Sequence, residues 1–258
     1  MDLGIAGRTA IVCASSRGLG LACATALARE GCVVVLNGRD PEVLETARIK
    51  LAATGADVIA VAADVGTSDG RAALLAAAPE ADILVTNNGG PAPGRMSDWD
   101  EAAWLAALNA NMLSAVLLIQ AIVPGMQARR FGRIVNITSA MVKSPQLPMG
   151  LSTASRAGLT AFAKALSREA AKDNVTVNNL LPERIETARL RDMTERLARH
   201  RDLPLEQARA EMLKPVPARR FGTPEEFGDA CAFLCSAQAG YITGQNLQID
   251  GGSYEGLI

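Results

Sequence analysis

The run Ala14-Ser15-Ser16-Arg17-Gly18-Leu19-Gly20 is the first place in this chain where residue types and spacing suggest chemistry. Small residues let a backbone come close to a diphosphate. A helix opening at Gly18 would point unpaired N–H groups and the positive end of its dipole at the anion. Between a first strand and a first helix, the run is expected to bind a dinucleotide, against the plainer reading of an ordinary strand-to-helix turn. A second candidate, Asn37-Gly38-Arg39, ends the next apolar run. An acidic side chain there would hold the free 2′-hydroxyl of NAD, whereas Arg39 together with Arg17 suits the 2′-phosphate of NADP. The expected cofactor is NADP ahead of NAD. Asp40 is the dissenting neighbour, and pairing of Arg39 with Asp40 or Glu42 is the competing explanation.

Other chemistries are disfavoured by what the chain lacks. His200 is the single histidine, which leaves no material for a paired histidine base or a multi-histidine metal site. The five cysteines (Cys13, Cys23, Cys32, Cys231 and Cys235) are odd in number and show no CxxC or Cys/His cluster, so neither a disulfide framework nor a metal site is expected. Cys231 and Cys235 fall on one helical face, as small buried thiols do. The 258 residues carry 26 basic and 27 acidic side chains, a formal net charge of -1, which gives no electrostatic footprint for nucleic acid or an anionic membrane. Met1-Asp2-Leu3-Gly4 lacks a basic leader, and no segment offers roughly 18 or more uninterrupted apolar residues. A cytoplasmic protein acting on a small molecule is expected.

Such turns need a frame, and the hydrophobic pattern supplies one. Short β-branched runs alternate with longer Ala-rich amphipathic stretches, the signature of repeated βαβ units. Strands are expected near Thr9–Ala14, Val33–Asn37, Asp57–Ala62, Ile83–Thr86, Arg133–Thr138, Thr176–Leu181 and Asn246–Asp250. Helices are expected near Gly18–Glu30, Pro41–Thr54, Ser68–Ala77, Trp99–Ala128, Ser152–Lys172 and Pro224–Ser236. Continuous apolar runs such as Val33-Val34-Val35-Leu36 suit strands covered on both faces. The fold class is therefore α/β, a Rossmann-type doubly wound parallel sheet, with residues 1–258 forming one NAD(P)-binding domain. One stretch, 186–217, breaks the alternation. Rich in Arg, Glu, Leu and Met and bounded by Pro204, Pro215 and Pro217, it reads as two short helices forming a lid within that domain, or else as a structural insertion or subunit contact.

Along almost its whole length the chain resembles the short-chain dehydrogenase/reductase family, in particular its 3-oxoacyl-reductase-like members. The resemblance rests on the CASSRGLG turn, Asp64-Val65, Asn87-Asn88-Gly89-Gly90, Asn111 within the long helix, Gly132 to Ser139, Pro182 to Thr187, and Tyr241 to Gly252. It implies that Asp64 and Val65 meet the adenine, that Asn87, Asn88, Gly89 and Pro182 line the cofactor, and that Ile185 and Thr187 contact the nicotinamide carboxamide. A homotetramer or homodimer is also implied.

The departures from the family matter more than the matches. Its active site joins an Asn and a Ser to a YxxxK pair, in which Tyr donates the proton and Lys holds the nicotinamide ribose. Asn111 and Ser139 stand where the first two belong, but Ser152 replaces Tyr and Arg156 replaces Lys. A serine hydroxyl is a far weaker acid than a phenol of pKa about 10, and the Arg156 guanidinium, with a pKa above roughly 12, cannot relay a proton but can bind the cofactor by holding its ribose hydroxyls and can stabilise developing negative charge. The expected site keeps oxyanion stabilisation and loses acid catalysis, which contributes on the order of a hundredfold to ten-thousandfold. Lys143, Glu183 or a water chain could substitute as the acid, although Lys143 could be a solvated loop residue and Glu183 could simply pair with Arg184 or Arg189. Tyr241 fits subunit or core packing, and Tyr254 is a distant candidate for the pocket. Another departure, Ala14 for the first Gly of the turn, matters only if that position needs a positive φ or direct phosphate contact.

Three functions stay open. The first is hydride transfer between NADP(H) and a small oxo compound, with 3-oxoacyl-type ketones as the implied class. The second is conjugate reduction of a C=C beside a carbonyl, where an enolate needs hydrogen-bond donors and carbon can take its proton from water. The third is a non-catalytic NADP-binding sensor or structural subunit.

Overall fold

The computed structural model describes residues 2–257. Seven strands, β1 (Thr9–Val12), β2 (Val33–Gly38), β3 (Val58–Ala62), β4 (Ile83–Thr86), β5 (Gly132–Ile137), β6 (Val175–Pro182) and β7 (Asn246–Ile249), form one parallel sheet in the order β3-β2-β1-β4-β5-β6-β7. The chain winds outward from β1 to β3, then crosses back to β4. The strand order therefore reverses beside β1, which opens the crevice where doubly wound sheets bind ligands.

Alternation along the strands builds two cores. Ala10, Val12, Val34, Leu36, Ile83 and Val85 face one layer, formed by α1 (Gly18–Arg29), α2 (Pro41–Ala52) and α9 (Pro224–Cys235). Ile11, Cys13, Val35 and Leu84 face the other, formed by α3 (Ser68–Ala77), α5 (Ser114–Ala128) and α6 (Gly150–Ala170). Burial on both sides is why these strands read as unbroken apolar runs. All five cysteines are free and buried in these layers.

The long helix expected over Trp99–Ala128 is present but interrupted: α4 (Glu101–Leu108) passes through one π-helical stretch, Asn109–Leu113, into α5. By length and composition alone Glu101–Ala128 could cross a membrane, a departure from the sequence expectation. Its apolar face has another use here: Ala115, Leu118, Ile119 and Ile122 are buried in the second core. After β6, α7 (Ala188–Arg201) and α8 (Leu205–Leu213) pack on one another. They are tied to their base by Arg209, which pairs with Glu186 at 3.0 Å and lies over the Phe221 ring.

Candidate active site

The turn after β1 is held by its own polar side chains. Ala14 sits at φ 45°, so this position does require the left-handed region, and alanine occupies it where glycine would be unstrained. Ser15 and Asn37, both expected at the cofactor, are instead buried beneath the turn. The Ser15 hydroxyl donates to the Val12 carbonyl (2.7 Å) and accepts the Asn37 N–H (2.9 Å). Asn37 Oδ1 accepts the Ala14 N–H (3.1 Å), while its Nδ2 donates to the Val61 and Ala63 carbonyls. Their side chains are committed to clamping the turn to β2, so any contact with a cofactor at Ser15 or Asn37 falls to the backbone. Gly20 lets α1 approach the turn, since a Cβ there would lie 2.3 Å from the Ala14 carbonyl oxygen. Leu19 packs against the core, which leaves its backbone N–H for a ligand. The N-terminus of α1 has no side-chain cap and no acidic residue in its first turn, unlike α2, capped by Asp40, and α3, capped by Thr67.

Arg39 is exposed and approaches Asp64 Oδ2 at 4.0 Å rather than Asp40 or Glu42. Asp64 also accepts the Gly66 N–H through Oδ1 (2.8 Å). Val65 is buried in the second core. Asn87 donates to the Ala14 carbonyl (3.2 Å), and Asn88 donates to the Ala110 carbonyl (3.0 Å) and accepts the Gly89 N–H (2.8 Å). These bonds fasten the loop after β4 to both the turn and the π-helical stretch. Beyond Pro182, which closes β6, Ile185 is buried in the first core and bridged to Gly222. Thr187 caps α7 by accepting the Leu190 N–H at 3.4 Å.

The four chemical residues come from three elements. Asn111 lies inside the π-helical stretch, where the backbone is wound one residue wider, an irregularity often seen at functional positions. Its Nδ2 donates to the Ala107 carbonyl (3.3 Å) and its Oδ1 is buried without a partner in the chain. Ser139 lies two residues beyond β5 and caps the following turn, its Oγ accepting the Met141 N–H (3.2 Å). That leaves the Ser139 proton available to donate. Ser152 and Arg156 stand one turn apart on α6, both buried, with Arg156 only 8 % exposed, and Arg156 Nη1 donates to Ser152 Oγ. The Ser152 hydroxyl keeps its own proton, polarised by the guanidinium behind it.

Burial, and after it the nearby charge of Arg189, pull the Arg156 pKa down to about 10, below the ordinary guanidinium range. At neutral pH it remains a cation. Its Nε has no partner in the chain. Asn111 and Arg156 line the same cavity of about 20 Å³ beside Asn87 and Asn88, room for one water molecule.

Arg189 itself was not among the residues singled out from sequence as part of the site. It reaches back from the first turn of α7 to donate to the carbonyls of Gly90 (3.2 Å) and Pro91 (3.4 Å). Only the absence of an acidic residue in that turn hinted at its availability. The substitute acids fare differently. Lys143 Nζ donates to Gln248 Oε1 (3.3 Å) and lies 4.8 Å from the centre of the Tyr254 ring, so it is held by the C-terminal segment rather than solvated. Glu183 pairs with Arg184, and burial pushes its carboxyl above the usual range. It lines a separate cavity of about 430 Å³ with Arg220, Glu226 and Asp250, which shares no lining residue with the Asn111–Arg156 cavity. Tyr241 is fully exposed, which excludes core packing.

Comparison with known proteins agrees with this geometry. Residues 13–254 match the family model described as enoyl-(acyl carrier protein) reductase. The chain is 34% identical over 253 residues to acetoacetyl-CoA reductase of Allochromatium vinosum, covering 96% of this chain and 98% of that protein. It is 32% identical over 256 residues to the 3-oxoacyl-[acyl-carrier-protein] reductase of Vibrio cholerae, covering 98% and 99%. The crystal structure of L-sorbose reductase from Gluconobacter frateurii, complexed with NADPH and L-sorbose, superposes with a TM-score of 0.94 over 100% of both chains at 32% identity. With its reversed strand order, uncapped α1 turn and matched length, the chain belongs to the short-chain dehydrogenase/reductase family of oxidoreductases.

Proposed function

We propose that the protein transfers a hydride between NADP(H) and a small oxo compound of 3-oxoacyl or ketone type, using Asn111, Ser139, Ser152 and Arg156. The observation that carries this reading is the buried Arg156–Ser152 pair on α6, the helix packed against the turn that Ser139 caps. A fixed positive charge behind a hydroxyl is suited to stabilising oxyanion charge.

The residues fit the cofactor. The Gly18 Cβ position meets no atom within 4 Å, the α1 N–H groups lack a cap, and Arg17 and Arg39 are exposed beside them. The backbone from Ala14 through Ser16 to Gly20 would hold the diphosphate, and Arg17 with Arg39 the 2′-phosphate. Asp64 and the Val65 backbone would meet the adenine, Asn87 to Gly89 would line the site, and Pro182, Thr187 and the Ile185 backbone would meet the carboxamide. NADPH, when bound, supplies the hydride. The neighbouring L-sorbose reductase, solved with NADPH, supports the assignment. Ser139 and Ser152 donate hydrogen bonds to the substrate oxygen, Arg156 adds the charge that stabilises it, and Asn111 Oδ1 with Arg156 Nε orders a water in the cavity they share. Residues 186–217 act as a lid, latched where Arg189 grips the Gly90–Pro91 loop. A cytoplasmic homotetramer or homodimer completes the proposal.

Conjugate reduction of an α,β-unsaturated carbonyl is the second reading. It is favoured by a site that has donors for an enolate but no phenol, and by the description of the matching family model. One experiment separates the two: NADPH consumption on a panel of α,β-unsaturated ketones, with products identified by NMR and mass spectrometry. An allylic alcohol is the expected product, and a saturated ketone would replace the first reading with the second. NADPH binding without turnover on any oxo or enone compound would overturn both.

A further inference from the structure

One aromatic ring joins two parts of the site that are distant in sequence. Trp99, half-buried just ahead of α4, lies against two glycines. A Cβ on Gly94, in the loop after β4, would stand 2.8 Å from its Nε1, and a Cβ on Gly150, the first residue of α6, would stand 2.7 Å from Cζ3 and 2.9 Å from Cη2. Nε1 and Cζ3 are on opposite sides of an indole, so the ring is a rigid spacer between loop and helix. Trp104 on α4 meets it edge-on, with ring centres 6.1 Å apart and planes at 83°. The Gly94 N–H donates to the Pro148 carbonyl at 3.0 Å, a second tie between the same segments. α6 opens without a side-chain cap, which leaves packing to fix where its first turn sits. Ser152 is in that turn, two residues beyond Gly150, and donates its position to the Arg156 contact one turn later. The loop on the other side of the ring begins with Asn88, bonded to the Ala110 carbonyl, and carries Gly90 and Pro91, whose carbonyls Arg189 holds. α7, the loop and the start of α6 are thus joined in series.

We infer that Trp99 is a positioning residue of this site: its indole sets the spacing between the loop after β4 and the first turn of α6, and so the place of the Ser152 hydroxyl relative to Asn88 and Gly89. It acts through the Gly150 backbone and not on the reacting atoms. An indole suits the task, because it is large and stiff and has only two side-chain torsions to order. A ring that merely filled space would stabilise the fold as a whole, whereas a spacer affects the rate through Ser152. The inference deepens the oxidoreductase reading above, on which its kinetic consequences rest, while the spacing itself can be tested without turnover.

The test has two parts, both on the full chain. Hydrogen exchange read by mass spectrometry compares the parent protein with Trp99→Ala. Faster exchange confined to peptides covering 89–98 and 150–156, with α9 unchanged, is expected. Acceleration spread over the whole chain, or none at all, would overturn the inference. The second part is kinetic. Trp99→Ala is expected to lower kcat about tenfold to a hundredfold, as a shift of about 1 Å at a reacting group does, with KM for NADPH changed by no more than about twofold. Trp99→Phe should recover most of the rate. In a Ser152→Ala background the same Trp99→Ala change is expected to cost less than about threefold, because the two act as one unit. A full, additive loss there would mean that the ring serves the fold and not Ser152, and would overturn the inference. Should Trp99→Ala fail to fold, Gly150→Ala keeps the indole and presses a methyl group against it; the same fall in kcat is expected, and an unchanged kcat overturns the inference. If the parent protein binds NADPH but turns nothing over, the oxidoreductase reading fails by itself and the exchange measurement still decides whether Trp99 holds the start of α6.

Discussion

At the scale of the residue, Arg156 sets activity and stability against each other. A buried guanidinium without a counter-ion favours the unfolded state, where water solvates it, and the same unspent charge is what the proposed mechanism uses to stabilise an oxyanion. Arg156→Met is therefore expected to lose on the order of a hundredfold or more in kcat while melting above the parent protein at pH 7, as differential scanning calorimetry would show. The sign follows from the lowered pKa: the folded state disfavours the charged form, so the penalty is present at neutral pH and fades as pH rises through about 10. The gap in melting temperature should close over that range. A variant that melts below the parent protein at pH 7 would mean that the Ser152 contact outweighs desolvation. Ser152 and Arg156 could be recognised as helical neighbours because four residues separate them. Arg189 could not, because it joins them only through the folding of α7 over the loop after β4. The part played by the Ser15 and Asn37 side chains was not legible for a related reason: a polar residue near such a turn can serve a ligand or the turn, and burial places these two beneath the turn.

At the scale of the element, helix termini show how charge is placed. The N-terminus of α9 is closed by a capping box in which Thr223 accepts the Glu226 N–H and Glu226 accepts the Thr223 N–H, and Arg220 grips the same carboxylate at 2.5 and 2.8 Å. Those donors hold the Glu226 carboxyl down at about 2, with the Arg220 hydrogen bond the largest cause. A carboxylate depressed in the folded state stabilises above its unfolded pKa of about 4.3, and that contribution is lost as pH falls through the folded value. Glu226→Gln should therefore lower the urea midpoint at pH 7, and the difference from the parent protein should shrink between about pH 4.5 and 2. A deficit constant across that window would assign the effect to packing. The strands and most helices of this sheet were legible from sequence because apolar runs, caps and turns all agree. The π-helical stretch was not, since a one-residue widening leaves the hydrophobic period of Trp99–Ala128 almost unchanged.

At the scale of the whole molecule, an apolar stripe runs along the outer side of the interrupted helix. Leu105, Leu113 and Leu117 are exposed at 59%, 40% and 40%, while residues beside them on the same helix are buried on the sheet. If the proposed oligomer uses this stripe, Leu117→Glu should lower the native mass measured by light scattering without altering the far-UV circular dichroism. An unchanged oligomer would place the contact elsewhere. The strand order carries a consequence for synthesis on the ribosome. β1, β2 and β3 emerge first and pair as a three-stranded half, with the other edge of β1 left open until β4 arrives. Growth then proceeds outward through β5 and β6, and β7, almost the last segment translated, closes the sheet. The crevice at the reversal beside β1 therefore forms between a segment made at the start and one made about a third of the way along, while Arg189, which fastens α7 to the loop after β4, arrives much later. A nascent chain would thus hold the turn after β1 well before the helix that covers the loop after β4 is made.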